Sequence, residues 1–163
     1  MTQQEALDIL KTGASVFLTG EPGSGKTYVV NKYAEYLRGC GVDPAVTAST
    51  GIAATHIGGV TIHSWSGIGI KEKLSSSDLL AIVGRKKIRK NIERANTLII
   101  DEVSMLSGGT YSTVDEVCRG VRENNLPFGG IQVILVGDFF QLPPVSRGKE
   151  RLLFAYESDA WKE

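Results

Sequence analysis

The spacing of apolar residues along this chain predicts a regular succession of short buried strands and amphipathic helices. Four apolar runs of four to six residues are too short for helices and are bounded by glycine, proline or polar residues, which is typical of buried parallel strands. These runs are residues 15–19, 45–49, 97–100 and 131–136. Because helical patterns separate them, the chain is predicted to have an α/β fold with a parallel sheet.

Three segments carry apolar residues every three or four positions and are predicted to be helices. The first runs from residue 2 to about residue 12, with Thr2 as its cap and Gly13 as its stop. The others span residues 26–38 and about 110–124. Right-handed crossovers bring the loops after the strands to one edge of a doubly wound sheet of four or five strands. We expect one domain spanning all 163 residues.

Composition fits a globular domain and excludes some functions. The chain is 42% hydrophobic and 22% charged, and its formal net charge is zero. A neutral chain is not attracted as a whole to nucleic acid or membranes, so any DNA binding has to come from a local patch. The spacing of Cys40 and Cys118 fits no metal site, and we expect both cysteines to be reduced thiols.

The first ten residues lack the basic and apolar regions of a secretion signal, and no apolar run approaches the ~18 residues of a membrane span. We expect a soluble protein without a membrane partner, cytoplasmic in a bacterium and nuclear or mitochondrial in a eukaryote.

The sequence GEPGSGKT, residues 20–27, lies between the first predicted strand and the helix that follows it. It matches the G-x-x-x-x-G-K-[ST] pattern of a phosphate-binding loop. Its glycines let successive backbone N–H groups turn towards one anion, and the helix adds the positive end of its dipole. In such a loop the lysine reaches the β and γ phosphates and the threonine binds Mg²⁺. The alternative is a glycine-rich turn that binds nothing. The candidate nucleotide-binding residues are Gly20, Pro22, Gly23, Ser24, Gly25, Lys26 and Thr27.

Two further strands end in residues that suit the hydrolysis of a bound nucleotide. The strand at residues 97–100 runs into Asp101 and Glu102, and the strand at residues 131–136 leads to Gln141. Because neighbouring strand residues point to opposite sides, the two acids are predicted to have different roles. We expect Asp101 to bind Mg²⁺ with the threonine, and Glu102 to orient or deprotonate the attacking water. Gln141 is predicted to sense the γ phosphate by hydrogen bonding, although it also suits a plain polar loop.

Small and hydroxyl-bearing residues follow the second strand, at the edge where α/β sheets bind ligands. His63 and Trp65 offer rings that can stack on bases. Alternatively, His63 forms a structural hydrogen bond within the protein, and Trp65 fills the hydrophobic core. At the amino terminus, the side-chain amides of Gln3 and Gln4 can form hydrogen bonds with the edge of an adenine base. Alternatively, these residues are exposed to solvent and bind nothing. The hydroxyls that can bind phosphates are those of Thr50, Thr55, Thr61 and Ser64.

A basic segment, residues 85–94, contains six cations and two isoleucines four positions apart. That spacing places Ile88 and Ile92 on one buried stripe of a helix and leaves the cations outside. The cations form either a solvated face or a contact with phosphates. The sequence pattern leaves both possibilities open.

Four motifs occur in the order GEPGSGKT, ASTGIAATHIGGVTIHSW, LIIDEVSM and VGDFFQLPPV. Together they closely resemble the motor core of superfamily 1 DNA helicases of the Pif type, kin to RecD and phage Dda. The resemblance covers nearly the whole chain and implies a P-loop NTPase with a RecA-like three-layer fold around a mostly parallel sheet. It also implies that ATP and Mg²⁺ bind in a cleft shared with a second RecA-like domain, and that single-stranded DNA crosses the top of both domains.

The resemblance further implies roles for individual residues. Either Gln3 or Gln4 is implied in adenine binding, and the resemblance does not decide between them. Asp101 and Glu102 are implied in binding the metal and the water, and Gln141 in binding the γ phosphate. The implied DNA contacts lie on a loop from Thr50 to Ile52 and on the segment that starts at Thr61. They are Thr50, Gly51, Ile52, Thr61, His63, Ser64 and Trp65.

Helicases of this type continue into a wedge insertion and a second RecA-like domain whose arginines complete the ATP site. Because this chain ends at Glu163, we expect an isolated, monomeric first motor domain that binds nucleotide, hydrolyses it slowly and does not unwind DNA alone. Two alternatives are a P-loop module whose nucleotide controls partner binding and an AAA-type ATPase that remodels proteins. Neither requires the Gln141 loop, the segment from His63 to Trp65, or Pro143 and Pro144. A small-molecule kinase is disfavoured because no lid or acceptor pocket is evident.

Overall fold

The structure, a computed structural model, describes residues 1–145 and 153–163. The five strands in this part of the chain are β1 (Val16–Leu18), β2 (Ala45–Ala48), β3 (Val60–Thr61), β4 (Thr97–Asp101) and β5 (Gln132–Val136). They form one sheet in the order β1-β5-β4-β2-β3, and every pair is parallel. The predicted parallel α/β fold is confirmed.

Eight α-helices surround the sheet in the described residues. The opening helix begins where its cap predicts, because Thr2 Oγ1 accepts the Glu5 N–H at 3.2 Å and the Glu5 carboxylate accepts the Thr2 N–H at 2.7 Å. The helices are α1 (Gln3–Leu10), α2 (Lys26–Gly39), α3 (Gly51–His56), α4 (Ile62–Ser66), α5 (Ser76–Val83), α6 (Lys86–Arg94), α7 (Gly108–Arg122) and α8 (Asp159–Lys162). Among these residues, no helix is long and apolar enough to cross a membrane.

Strand β4 lies at the centre of the sheet and separates two hydrophobic cores. Its residues Leu98, Ile99 and Ile100 are fully buried. Ile99 joins the core under α1 and α2, whereas Leu98 and Ile100 join the core under α4 to α7. This alternation explains why the strand is apolar throughout, because each of its faces is covered by helices.

The segment after β2 differs from the predicted loop. Thr50 is the N-cap of α3, and its hydroxyl oxygen accepts the N–H of Ala53 at 3.2 Å. The prediction of a loop from Thr50 to Ile52 was therefore wrong, because this stretch begins a helix. Strand β3 was not predicted, since two residues give no recognisable pattern. It is preceded by Gly59, where an added Cβ would lie 2.3 Å from the carbonyl oxygen of Val46.

Candidate active site and nucleic-acid interface

The loop between β1 and α2 has the backbone shape that its glycines predict. Gly23 and Gly25 have φ angles of 79° and 89°, in the left-handed region that favours glycine. Gly25 is the N-cap of α2 and forms no side-chain cap. The first N–H groups of α2 therefore point out of the helix end without a capping side chain, where an anion can accept them.

Lys26 lies against this loop. Its Nζ donates to the backbone carbonyl of Gly20 at 2.6 Å and to that of Glu21 at 3.1 Å. These bonds hold the ammonium at the N-terminal end of α2, where a bound triphosphate would meet it. Thr27 follows in the first turn of the helix and is exposed.

Strand β4 delivers Asp101 to the same edge of the sheet, and Glu102 follows in an uncommon backbone conformation. Its φ and ψ angles are 53° and 44°, a region that residues with side chains seldom adopt. Because the strand ends at Asp101, the turn rather than strand alternation directs the Glu102 side chain. The premise behind our prediction of different roles for the two acids was therefore wrong.

Hydrogen bonds hold this turn in place. The Glu102 N–H donates to Asp101 Oδ1 at 2.9 Å. Ser49, at the end of β2, donates its hydroxyl to the Glu102 carbonyl at 2.8 Å and its N–H to the Asp101 carbonyl at 3.0 Å. Such bonds from neighbouring elements allow a strained backbone to persist.

The two acids influence each other and both respond to the lysine of the phosphate-binding loop. Burial raises the pKa of Asp101, while the hydrogen bond from Glu102 and the Lys26 ammonium lower it in part. Burial also raises the pKa of Glu102, the charge of Asp101 raises it further, and Lys26 again lowers it. Because β1 and β4 are parallel strands of one sheet, the phosphate-binding loop and the two acids follow their strands at the same edge.

The oxygen atoms at this edge suit Mg²⁺ bound together with phosphates. Magnesium takes oxygen ligands, and it commonly takes only one or two from the protein when phosphates and water supply the rest. In the part of the chain that is described, no group of three His, Cys, Asp or Glu side chains could hold a metal alone. Asp101 accepts the Glu102 N–H on Oδ1, which leaves Oδ2 available to a cation.

The structure distinguishes the two amino-terminal glutamines. The Nε2 of Gln3 donates to the Ser24 carbonyl at 3.4 Å, and a Cβ added to Gly25 would lie 2.1 Å from it. Gln4 instead donates to Asp8 on its own helix at 2.9 Å. Gln3 therefore lies against the phosphate-binding loop, whereas Gln4 does not.

The loop after β5 lies beside the end of β1. The N–H of Gly137 donates to the Leu18 carbonyl at 3.2 Å. Asp138 then accepts the Phe140 N–H at 3.0 Å and the Gln141 side-chain amide at 3.3 Å. Gln141 is exposed and makes no hydrogen bond to the phosphate-binding loop among the described residues, so its role stays a prediction.

Helices α3 and α4 begin with threonine caps. The hydroxyl oxygens of Thr50 and Thr61 each accept a backbone N–H at 3.2 Å. Since this uses an oxygen lone pair, the hydroxyl proton remains free to bind a phosphate. Thr55 differs, because its hydroxyl donates to the Gly51 carbonyl at 2.9 Å. Its hydroxyl proton is thus engaged within the helix, and a phosphate contact by Thr55 stays a prediction.

The two predicted stacking residues of this segment have different positions. His63 is half-buried, and burial lowers its pKa, so the ring is neutral at pH 7. Trp65 is only 6% exposed and packs in the core under α4 to α7. The structure supports the core alternative for Trp65 and contradicts base stacking by its ring. Ile52 and Ser64 are exposed at the starts of their helices.

A family model described as PIF1-like helicase matches residues 2–163. The chain belongs to the PIF1-like helicase family. ATP-dependent DNA helicase Pif1 from Psychrobacter sp. is 56% identical over 163 residues, covering 99% of this chain and 25% of that protein. ATP-dependent DNA helicase PIF1 from Homo sapiens is 39% identical over 160 residues, covering 98% of this chain and 24% of that protein. This PIF1-like chain thus spans about a quarter of the length of the curated relatives it matches.

Solved structures of Pif1 helicases share the fold of this PIF1-like chain. Pif1 helicase from Candida albicans has a TM-score of 0.92 and 41% identity, over 99% of this chain and 36% of that chain. Pif1 helicase from Bacteroides in complex with ADP-AlF3 and ssDNA has a TM-score of 0.84 and 35% identity, over 96% of this chain and 38% of that chain. The expected RecA-like fold is confirmed.

Two residues of the PIF1-like site were not predicted. Ser49 bonds to the backbone of both acids, and Asp138 organises the Gln141 loop. Asp138 carries a sequence signal, because a polar residue just after an apolar strand points to the ligand-binding edge. Ser49 carries no such sequence signal, because its role depends on β2 and β4 being neighbours in the sheet.

Proposed function

We propose that this chain is the ATP-binding motor domain of a DNA helicase. In the whole protein, it couples ATP hydrolysis to movement along single-stranded DNA and to duplex unwinding. The observation that carries this proposal is that the parallel sheet places Lys26, after β1, and Asp101 and Glu102, at the end of β4, at the same edge. The charge of Lys26 lowers the pKa of both acids. Support also comes from relatives named ATP-dependent DNA helicases and from the Bacteroides Pif1 structure in complex with ADP-AlF3 and ssDNA.

We assign a role in ATP hydrolysis to each residue of the proposed ATP site. Lys26 stabilises the charge that develops on the γ phosphate, because its two hydrogen bonds already hold it at the loop. Glu102 orients and deprotonates the attacking water, and its raised pKa makes it a better proton acceptor than an exposed carboxylate. Thr27 and Asp101 would hold Mg²⁺, which neutralises charge between the β and γ phosphates when bound. Gln141 senses the γ phosphate.

The adenine base is bound by Gln3 rather than Gln4 in this proposal. Gln3 contacts the phosphate-binding loop, whereas Gln4 is engaged with its own helix. A side-chain amide offers one donor and one acceptor, which is the pattern that adenine requires.

The proposed DNA contacts lie at the starts of α3 and α4. They comprise the exposed or half-buried Thr50, Gly51, Ile52, Thr61, His63 and Ser64. Ser49 connects the two sites, because it bonds to the backbone of Asp101 and Glu102 and directly precedes the cap of α3. In this proposal, Ser49 is the residue through which a change around the γ phosphate reaches the start of α3.

We also propose that a second RecA-like domain of the whole protein supplies the arginines that complete the ATP site. Arginines of this kind contribute about 10³- to 10⁵-fold to phosphoryl-transfer rates. The chain alone is then expected to bind nucleotide and to hydrolyse it slowly. Robust steady-state ATP hydrolysis by this chain, stimulated by single-stranded DNA, would contradict this part of the proposal.

The site assignment is tested by titration with a fluorescent ATP analogue in the presence of Mg²⁺. Lys26→Ala is expected to abolish measurable affinity, because it removes the only side-chain cation that bonds to the loop among the described residues. The matched control is Lys32→Ala on the same helix, where the lysine pairs with Glu35 at 2.9 Å on the outer surface. Equal affinity of Lys26→Ala and the unaltered chain would remove the assignment.

A further inference from the structure

Helix α6 carries exposed positive charge that packing does not require. Ile88 and Ile92 pack in the core, and they would pack equally well if the exposed face of the helix carried uncharged polar residues. Two cations of the helix do have acidic partners. Arg89 pairs with Glu93 at 2.7 Å, and Arg94 lies 3.9 Å from Asp43.

Three lysines of α6 are different. Lys86, Lys87 and Lys90 are exposed and have no acidic partner within ion-pair distance in the described part of the chain. Lys86 and Lys90 are four positions apart, so like charges face each other on one side of the helix and oppose its formation. We refer to these three residues as the α6 lysines.

The start of α6 also lacks the stabilising cap and acidic residue that the start of α5 has. Helix α5 begins with Ser75 and Asp78 in a capping box, with the acid at the positive end of the helix. Helix α6 begins with Arg85, which forms no side-chain cap, and continues with two lysines in the first turn. Cations at this end are unfavourable for the helix. A local arrangement that lowers stability without a packing gain is typical of a functional surface.

Contacts place this end of α6 beside the C-terminal end of α4, the helix whose start carries proposed DNA contacts. Arg85 donates to the carbonyl of Gly67, the residue after α4, at 3.4 Å. In the middle of the helix, Asn91 donates to the Trp65 carbonyl at 3.3 Å. The other end is held elsewhere, because Arg122 donates to the last carbonyls of α6. The lysine-rich first turn therefore adjoins the C-terminal end of α4, about one helical turn from Ser64.

From these observations we infer that the α6 lysines bind phosphates of a DNA strand that runs from the starts of α3 and α4 onto α6. This inference rests on the proposed function and adds a surface to it. Lysine acts on phosphate as a point charge, so the contact is independent of base sequence. It also supplies the local basic patch that DNA binding by a neutral chain requires.

The test compares two triple variants with equal change in charge. The first replaces the α6 lysines by glutamine. The control is Lys11→Gln, Lys32→Gln and Lys162→Gln, which alters exposed cations near α1, on α2 and on α8. Binding of fluorescent oligothymidine to the unaltered chain and both variants is measured by anisotropy over a range of salt concentrations. Short and long oligonucleotides are compared, since only the long ones reach α6.

Three lost phosphate contacts are expected to reduce the slope of log affinity against log salt by about 2, and to weaken binding at about 0.1 M salt by about 10- to 100-fold. The loss is expected with long oligonucleotides only, and the control variant is expected to match the unaltered chain. If the α6 variant binds long oligonucleotides as the unaltered chain does, the inference fails while the proposed function stands. If the unaltered chain binds no single-stranded DNA, the inference and the proposed DNA contacts at α3 and α4 both fail, whereas the proposed ATP site is judged by the separate nucleotide titration.

A second variant separates a DNA contact from a solvated face. Lys86→Glu places an acid at the positive end of α6 and is expected to raise Tm. The same variant is expected to weaken binding of long oligothymidine, because it reverses a charge that faces the phosphates. A higher Tm with unchanged DNA affinity would show that Lys86 is only a solvated surface residue and would overturn its part in the inference.

Discussion

Replacement of Glu102 by glycine is expected to stabilise the fold while it removes the carboxylate proposed to orient water. The left-handed backbone of Glu102, with φ of 53° and ψ of 44°, costs a residue with a side chain about 1–2 kcal/mol. Glycine avoids this cost but loses about 0.5–1 kcal/mol through the greater freedom of its unfolded chain. The net gain is therefore about 0.5–1 kcal/mol, which for a chain of this size raises Tm by about 1–4 °C.

Thermal unfolding of Glu102→Gly and Glu102→Ala followed by circular dichroism isolates the backbone effect. Both variants lose the carboxylate, so the difference in Tm between them reports the left-handed conformation. Glu123 offers a matched control, because it has a φ of 49°, is exposed, caps the C-terminal end of α7 and has no role in the proposed site. Its glycine variant should likewise melt above its alanine variant. If only the Glu123 pair shows the difference, the backbone at Glu102 stores no strain and the reasoning is refuted.

Three further predictions concern the ATP site and the sheet. Asp101→Asn is expected to raise Tm at pH 7 and to raise it less near pH 4. Burial raises the pKa of Asp101, so the ionised carboxylate lowers the stability of the folded chain at neutral pH. This penalty disappears as the pH falls through the folded-state pKa. Thermal melts at both pH values check this. Gln3→Ala is expected to weaken binding of a fluorescent ATP analogue about fivefold, the effect of one hydrogen bond, whereas equal losses in Gln3→Ala and Gln4→Ala would contradict the choice of Gln3. Gly59→Ala is expected to cost about 1–3 kcal/mol in urea unfolding, because its Cβ would meet the Val46 carbonyl at 2.3 Å; an unchanged midpoint would show that β3 can shift.

Much of the fold follows from local patterns in the sequence. The phosphate-binding loop and the apolar strands are encoded within short stretches, so their boundaries agree with the structure to within about two residues. The parallel orientation of the strands also follows from the helices that separate them. These features bring Lys26 and Asp101 to one edge without any knowledge of tertiary contacts.

Other features depend on contacts between distant parts of the chain. The turn at Glu102 continues an apolar run that looks like a strand, and its conformation is fixed by Ser49 from another strand. Trp65 suits stacking or burial equally in the sequence, and its burial follows from packing against α6. The choice between Gln3 and Gln4 depends on where the first helix lies against the phosphate-binding loop. Such questions require coordinates.

Strand β1, which leads into the phosphate-binding loop, lies at the outer edge of the sheet. It has only three residues and is paired with β5 alone in the described part of the chain. A cavity of about 280 Å³ lies beside it, lined by Phe17, Tyr111 and Trp161 among others. The loop therefore depends on β5 for its anchorage, so amide protons of β1 should exchange with solvent before those of β4.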